Sequence, residues 1–464
     1  MLRLHDTATG TVRPLELRDP GRVSVYVCGL TVDNVPHIGH GRFGLVFDVL
    51  RRYLLFTGLD VRYVSNITDI DDKIIKRAAD EGTTETAVAR RYEAEWWKAM
   101  DALGVLRPTH APHATDFVPA MVALIELLGK RGLTYETSDG VYLNVERVEG
   151  YGLLNHQPLD SLRAGARVEV AEEKRSPLDF ALWKRAKPGE PTWPSPWGPG
   201  RPGWHTECVV MSLDLLGPDF DLHGGGIDLI FPHHENERAQ AVGIGQPFAR
   251  HWVHNGWVTV DGQKMSKSLG NFTSLPDLLS RSDARAYRLL VLRSHYRSPI
   301  EVTADTVEQA ERSLERLDAL ARRFSPPDPF GPGGVVVDGQ GAAAGADPDA
   351  LARFREAMDD DLDTSLALAG IFDLVSRANR AADEGDHATG RDLAATAAIL
   401  CGILGLELRA EDPGAPDDES ARLVAERDAA RGDRDWARAD AIRDELVALG
   451  WTVEDGPIGT RIRR

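Results

Sequence analysis

The sequence predicts an α/β protein: a parallel-sheet domain interrupted by an insertion, then an α-helical bundle, then a small C-terminal domain. Three observations carry that expectation. Residues 22–67 follow strand, helix and strand periods in turn; residues 133–203 break the pattern with a hairpin signal and a Pro/Gly/Trp-rich run; and from Asp283 onward the apolar spacing is helical. A chain of 464 residues also exceeds one ordinary core, and its length suggests about three domains.

Arg22 to Gly29 alternates with the period of a strand, placing Val23, Val25 and Val27 on one face and Ser24, Tyr26 and Cys28 on the other, so that Cys28 falls at the strand's end. From about His40 to Thr57 a helix is expected, because Val46, Leu50, Tyr53 and Leu54 share one face and Gly58 supplies a stop. Val61 to Ile67 returns as a strand. This strand-helix-strand order implies parallel pairing, and in such sheets ligands collect at the carboxyl ends of the strands. Leu133 to Asn144 reads as a hairpin turning at Asp139-Gly140, and Pro188 to Gly203 is crowded with Pro, Gly and Trp; both belong to the insertion.

Ser325 to Asp347 is rich in Pro, Gly and Ala without periodicity and reads as a linker, after which helices resume from about Pro348 to Leu406. Glu411 to Glu419 is an acidic, proline-bearing break, and Ala421 to Leu449 reads as one charged helix followed by a short tail. The expected divisions are 1–120 and 201–300 for the halves of the sheet domain, 121–200 for the insertion, 301–405 for the bundle and 406–464 for the terminal domain.

Hydrophobic residues at 42% and charged residues at 27% suit a folded, soluble protein. Met1 to Arg22 holds no apolar run of signal-peptide type, and no uncharged stretch could span a bilayer, so a cytoplasmic protein without a membrane partner is expected. Cys28, Cys208 and Cys401 are too few and too far apart for a disulfide framework, which favours free thiols or metal ligation. The formal net charge of −18 opposes bulk attraction to nucleic acid, so any RNA must be met by local basic patches. Residues 421–464 carry nine Arg against nine Asp plus Glu and are relatively basic within this acidic chain.

His37-Ile-Gly-His40 lies between the first strand and its helix, where Gly39 permits close backbone approach, helix-start amides favour anions, and two imidazoles can donate to phosphate oxygens. Alone, the tetrapeptide would equally fit two surface histidines near a helix cap. Lys264-Met265-Ser266-Lys267-Ser268 follows a turn signal, Asp261-Gly262, and puts two ammonium groups on one loop. Cys208 in Gly203-Trp-His-Thr-Glu-Cys208, with His233 and Glu237 four residues apart in Phe231-Pro-His-His-Glu-Asn-Glu237 and Cys28 upstream, makes a set of ligand types that zinc accepts, although His234 could replace His233.

Taken in order, His37 to His40 and Lys264 to Ser268 resemble the paired signatures of class I aminoacyl-tRNA synthetases. His223-Gly-Gly-Gly226, Asn66-Ile-Thr-Asp-Ile-Asp-Asp-Lys73, Pro177-Leu-Asp-Phe-Ala-Leu-Trp-Lys184, Asp440-Ala-Ile-Arg-Asp-Glu445 and Gly459-Thr-Arg461 sharpen the resemblance to cysteinyl-tRNA synthetases, which runs from Arg22 to Arg464. The chain departs from the family's usual pattern at Leu30 and Asp33, where Pro and Tyr are common, and at Gly41-Arg-Phe-Gly44.

The resemblance implies a Rossmann-like catalytic domain and activation of L-cysteine by ATP to a cysteinyl-adenylate, with Mg2+ on the nucleotide, before transfer to tRNA(Cys). It implies one zinc per chain on Cys28, Cys208, His233 and Glu237, which distinguishes a thiolate from the near-isosteric serine hydroxyl far better than an apolar pocket. His37, Gly39, His40 and Lys264 to Ser268 would bind ATP, with His37, His40, Lys264 and Lys267 acting on developing phosphate charge. Gly29, Thr31, Thr68, Trp204 and Asp228 would form the cysteine pocket, supported by His205, His223 and His234. Arg461, Arg463 and Arg464 would meet tRNA phosphates, Trp436 or Trp451 would stack on a base or fill a small core, and the enzyme would act as a monomer. Two competing functions fit parts of the pattern: a mycothiol-pathway type of cysteine ligase with an amino-sugar acceptor, and a non-catalytic zinc- or RNA-binding paralogue.

Overall fold

The computed structural model describes residues 1–157, 173–260, 263–264, 273–326, 346–410, 418–433, 435–456 and 459–463. An antiparallel hairpin, β1 (Arg3–Asp6) and β2 (Thr11–Pro14), precedes the first crossover unit: β3 (Arg22–Thr31), α1 (Ile38–Phe56) and β4 (Asp60–Thr68). Val23, Val25 and Val27 are buried, and so are Ser24, Tyr26 and Cys28, so both faces of β3 are covered as the centre of a parallel sheet requires. The strand runs two residues beyond its expected end, to Thr31, through a register irregularity between Val27 and Leu30. Gly29 sits inside it because a Cβ there would lie 1.6 Å from the Asn66 carbonyl oxygen on β4.

Three helices follow, α2 (Asp72–Glu81), α3 (Glu85–Ala102) and α4 (Val118–Lys130). The insertion then builds an antiparallel sheet from β5 (Thr134–Glu136), β6 (Gly140–Leu143), β7 (Phe180–Arg185) and β8 (Gly200–Pro202), in that order, with the expected hairpin as β5 and β6. The chain returns through α5 (Trp204–Leu216), β9 (Phe220–Gly226), α6 (Glu235–Gly243) and β10 (Ala249–Asn255). The central sheet has the order β10-β9-β3-β4, and every pair in it is parallel. Its winding reverses between β9 and β3, since β4 lies outside β3 and β10 lies outside β9. A crevice at the carboxyl ends follows from that reversal.

Beyond the sheet, β11 (Val258–Val260) pairs with β12 (Gln263–Lys264) and, after α7 (Leu275–Leu279) and α8 (Ala284–Leu292), with β13 (Ile300–Glu301). The helical region holds α9 (Ala304–Phe324), α10 (Pro348–Asp359), α11 (Thr364–Asp383) and α12 (His387–Ile403), the last three capped by Asp347, Asp363 and Asp386. Two compact units result, one of Met1–Leu314 with Pro327–Glu407 and one of Glu315–Pro326 with Leu408–Arg464. The expected single helix from Ala421 to Leu449 is two, α13 (Asp418–Gly432) and α14 (Trp436–Ala448), because the Asp435 carboxylate accepts from the Arg438 N–H and starts a second helix there. The tail is the hairpin β14 (Thr452–Gly456) and β15 (Gly459–Arg463). No helix among the described residues is long and apolar enough to cross a membrane.

One buried ion cluster ties the helices to the sheet domain. Asp48 on α1 accepts from Arg52 Nε (2.8 Å), from Arg288 Nη1 on α8 (2.6 Å) and from the Leu106 N–H (2.8 Å), and Arg288 also donates to the carbonyls of Leu103 and Leu404. Burial alone would raise the Asp48 carboxyl, but the guanidiniums of Arg288 and Arg52 outweigh it and hold the group below its ordinary value. A carboxyl lowered in this way stabilises the fold above its unfolded pKa, about 3.9, and that contribution is lost as pH falls through the folded value. Asp48→Asn is therefore expected to reduce the unfolding free energy at neutral pH by about 3–5 kcal/mol, because it strands two buried guanidiniums. In denaturant titrations the gap between variant and parent should close below about pH 4; coincident curves at pH 7 would contradict this account.

Candidate active site and metal centre

The reversal between β3 and β9 opens a cleft of about 520 Å³ whose lining includes Cys28, Gly29, Thr31, Asp33, His37, Gly39, His40, Trp204, Asp228, Asn255 and Trp257. At its base four buried side chains converge from β3, α5, α6 and the turn that precedes α6. Cys28 comes from β3 and Cys208 from α5, with sulfurs 3.6 Å apart. His233 precedes α6 and Glu237 lies in its first turn, so that their spacing of four sets Nε2 and Oε1 2.8 Å apart. Cys28 Sγ lies 3.2 Å from Glu237 Oε1, Cys208 Sγ lies 3.7 Å from His233 Nε2, and all four donor atoms fall within 4.8 Å of one another.

A second set, Cys28, His223, His234 and Glu237, meets the same distance condition and keeps the alternative histidine in view. The two sets share Cys28 and Glu237. Only the first holds both sulfurs, and only its histidine stacks on a cleft wall, with the Trp204 ring centroid 4.1 Å from that of His233. His233 Nδ1 lies 2.8 Å from His205 Nδ1, an outward partner that fixes the ring. His223 Nε2 lies 2.6 Å from Glu237 Oε2, and His234 Nε2 lies 3.3 Å from Cys28 Sγ, so both of these rings bond to members of the first set.

The electrostatics suit a cation. Burial pushes the Cys28 thiol well above its usual value, whereas His223 and His233 overcome burial at Glu237 and keep its carboxylate ionised. The Cys208 thiol falls to about 6: burial raises it, but the hydrogen bond from Cys28 and the neighbouring His233 lower it further. A buried carboxylate beside two thiols, one of them readily ionised, is a soft, negative donor set of the kind that accepts zinc.

At the other wall the two motif histidines start α1. His37 is its N-cap, and Ile38 to His40 occupy the first turn, so the helix begins two residues before the expected point and the motif is not wholly in the loop. The His37 Nδ1 accepts from the His40 N–H and the His40 Nδ1 from the His37 N–H, each at 3.3 Å, and the rings stack with centroids 3.5 Å apart. A neutral imidazole that accepts at Nδ1 carries its hydrogen on Nε2. Two Nε2–H donors therefore sit at a helix N-terminus, an arrangement suited to phosphate oxygens.

Of the expected cysteine-pocket residues, Gly29, Thr31, Trp204 and Asp228 line the cleft. Thr68 is buried next to Thr31 and donates to Glu207 Oε2 (2.8 Å), so it supports the lining instead of forming it. The Lys264 side chain, Met265, Ser266, Lys267, Ser268, the Arg461 and Arg463 side chains and Arg464 lie outside the described residues. Trp451 is in the core of the terminal unit with Leu423, Ile442 and Leu446, whereas Trp436 is 58% exposed. Sequence reasoning missed Asn66 as a support. Its Oδ1 accepts from the Gly29 N–H (2.9 Å) and lies 3.7 Å from Cys208 Sγ, and no local pattern announces that contact.

Comparisons with known proteins identify the family. Residues 14–312 match the model of the tRNA synthetases class I (C) catalytic domain, residues 353–409 the DALR domain, and residues 412–463 the cysteinyl-tRNA ligase anticodon binding domain. The chain is 47% identical over 473 positions to a cysteine–tRNA ligase of Halorhodospira halophila and 48% identical over 474 to that of Alkalilimnicola ehrlichii, in each case across 100% of both chains. It is 45% identical to a cysteine–tRNA ligase of Geobacter metallireducens, across 99% of each. The fold is similar to that of Mycobacterium tuberculosis methionyl-tRNA synthetase in complex with methionyl-adenylate, with a TM-score of 0.61, 18% identity and coverage of 83% of this chain and 90% of that one. From its crossover sheet to its terminal domain, the chain belongs to the cysteine–tRNA ligase family of class I aminoacyl-tRNA synthetases.

Proposed function

We propose that this enzyme activates L-cysteine with ATP, releasing pyrophosphate, and transfers the cysteinyl group to tRNA(Cys), with one zinc ion selecting the substrate. The observation that carries this reading is the placement of Cys28, Cys208, His233 and Glu237 under a cleft whose other wall carries His37 and His40. Bound there, zinc would supply affinity for a thiolate over a hydroxyl, which is the difference between cysteine and serine.

The chain's own groups then set the geometry of the reaction. Trp204, Gly29 and Thr31 enclose a small amino acid, and Asp228 offers a carboxylate to its ammonium group. The cysteine carboxylate attacks the α-phosphorus of ATP-Mg2+, and the bond to pyrophosphate breaks. The Nε2–H groups of His37 and His40, with Lys264 and Lys267, stabilise the charge that develops on the phosphate oxygens. A ribose hydroxyl at the tRNA terminus next attacks the activated carbonyl, and AMP departs. The match of residues 412–463 to an anticodon-binding domain supports a tRNA acceptor over an amino sugar.

Elemental analysis is expected to find about one zinc per chain. Cys208→Ala should lose the metal and, with it, most of the preference for cysteine over serine in pyrophosphate exchange. A zinc-free preparation with full activity and selectivity would overturn the metal reading.

The exposed Trp436 lies outside the core of the terminal unit and is assigned to base stacking. Trp436→Ala is expected to raise the KM for tRNA about tenfold, in line with one lost stacking contact, while cysteine-dependent pyrophosphate exchange and thermal stability stay at parental levels. An unchanged KM for tRNA would remove this assignment.

A further inference from the structure

The N-terminal hairpin has no place in the reaction described above, yet it reaches the metal centre through buried hydrogen bonds. Thr7 follows β1 directly and is 6% exposed. Its Oγ1 lies 2.7 Å from His254 Nδ1; His254 Nε2 lies 2.8 Å from His234 Nδ1; and His234 Nε2 lies 3.3 Å from Cys28 Sγ. Both histidines are buried, so the chain of contacts is shielded from water over its whole length.

The direction of these bonds can be worked out from the sulfur. A thiolate that ligates a metal has no hydrogen and can only accept. Its partner, His234 Nε2, must therefore donate, and a neutral imidazole with its hydrogen on Nε2 accepts at Nδ1. That makes His254 Nε2 the next donor and His254 Nδ1 the next acceptor, so the Thr7 hydroxyl must donate. We propose that Thr7 is a positioning residue for the metal centre: its hydroxyl heads a one-way hydrogen-bond chain through His254 and His234 that presents an N–H to the Cys28 sulfur. The inference rests on reading Cys28 as a zinc ligand.

With a valine in place of Thr7, no side chain among the described residues would donate to His254 Nδ1. The two imidazoles could then take the opposite tautomers and turn a bare Nε2 lone pair toward the thiolate. The hairpin itself would stay seated, because main-chain and carboxylate bonds hold it: the Thr7 N–H donates to the Trp252 carbonyl (2.9 Å), the Trp252 N–H donates to Asp6 Oδ1 (3.0 Å), and Arg13 Nε donates to Asp6 Oδ2 (2.9 Å).

The test compares the zinc-loaded full-length parent, Thr7→Val and Thr7→Ser by the rate of zinc release to a chromogenic chelator. The sulfur-to-metal charge-transfer band of the same three proteins reconstituted with Co2+ gives a second readout. Thr7→Val is expected to release zinc about tenfold faster, the lower end of what loss of an outer partner of a metal ligand produces, and to shift the Co2+ band. Thr7→Ser should restore both, while metal-free thermal unfolding is the same in all three. Parental zinc release and band position in Thr7→Val would overturn the inference, as would a loss of metal-free stability that Thr7→Ser fails to restore. If the parent itself bound no zinc, the metal reading would fall and this inference with it; a zinc-loaded parent matched by Thr7→Val would remove the inference alone.

Discussion

Parallel pairing of β3 with β9 joins strands nearly 200 residues apart, and the site exists only where that pairing holds. The register is short, running from Val25 opposite Leu222 to Val27 opposite Gly224. Buried Asp221 reinforces it by accepting from both the Ser24 N–H and the Ser24 hydroxyl, while the Asp221 N–H donates back to Ser24 Oγ. Because the winding reverses at this junction, no crossover helix covers the carboxyl ends of the two strands. The same junction that sets Cys28 beside the Glu237 side of the sheet therefore also leaves the cleft open above it.

A site built this way concentrates polar groups that would be costly without partners. The structure meets much of the cost by pairing three of these groups twice. Glu237 lies between His223 and His233, His233 between Glu237 and His205, and Asn66 between the Gly29 amide and the Thr68 hydroxyl. Glu237 and His233 are thus each oriented by one neighbour and keep the remaining atom beside the two cysteine sulfurs, an arrangement that preorganises a donor set.

Much of this was legible in the sequence because the relevant signals are local. The alternation around Val25, the spacing of His233 and Glu237, and the turn at Asp139-Gly140 each act within a few residues, and the strand and the hairpin formed there, β3 running two residues past its expected end. The missed features depend on tertiary contact. Asn66 and Thr7 reach the Cys28–Cys208–His233–Glu237 cluster only after distant strands have paired, and Asp48 meets Arg288 across 240 residues. The single helix expected from Ala421 to Leu449 failed for a different reason. Its dense charge hid the local stop at Gly432 and the cap at Asp435, since polar residues on every face carry no periodicity to interrupt.

The unusual Gly41-Arg-Phe-Gly44 segment shows how a departure from a family's pattern can be structural in origin. A Cβ at Gly41 would stand 2.9 Å from the Tyr287 ring, and one at Gly44 would stand 2.6 Å from Met100 Sδ, so both glycines let α1 pack closely against its neighbours. Between them Arg42 is fully buried and donates to the carbonyls of Trp257, Tyr296 and Ser298, and burial lowers its pKa to about 10. The Trp257 carbonyl belongs to the segment that lines the cleft with Asn255, and the Tyr296 carbonyl also accepts from the Gly256 N–H of that segment (2.9 Å). One guanidinium thus ties the helix that begins with His37 and His40 to Trp257 on the wall of the cleft, and it does so through neutral backbone oxygens.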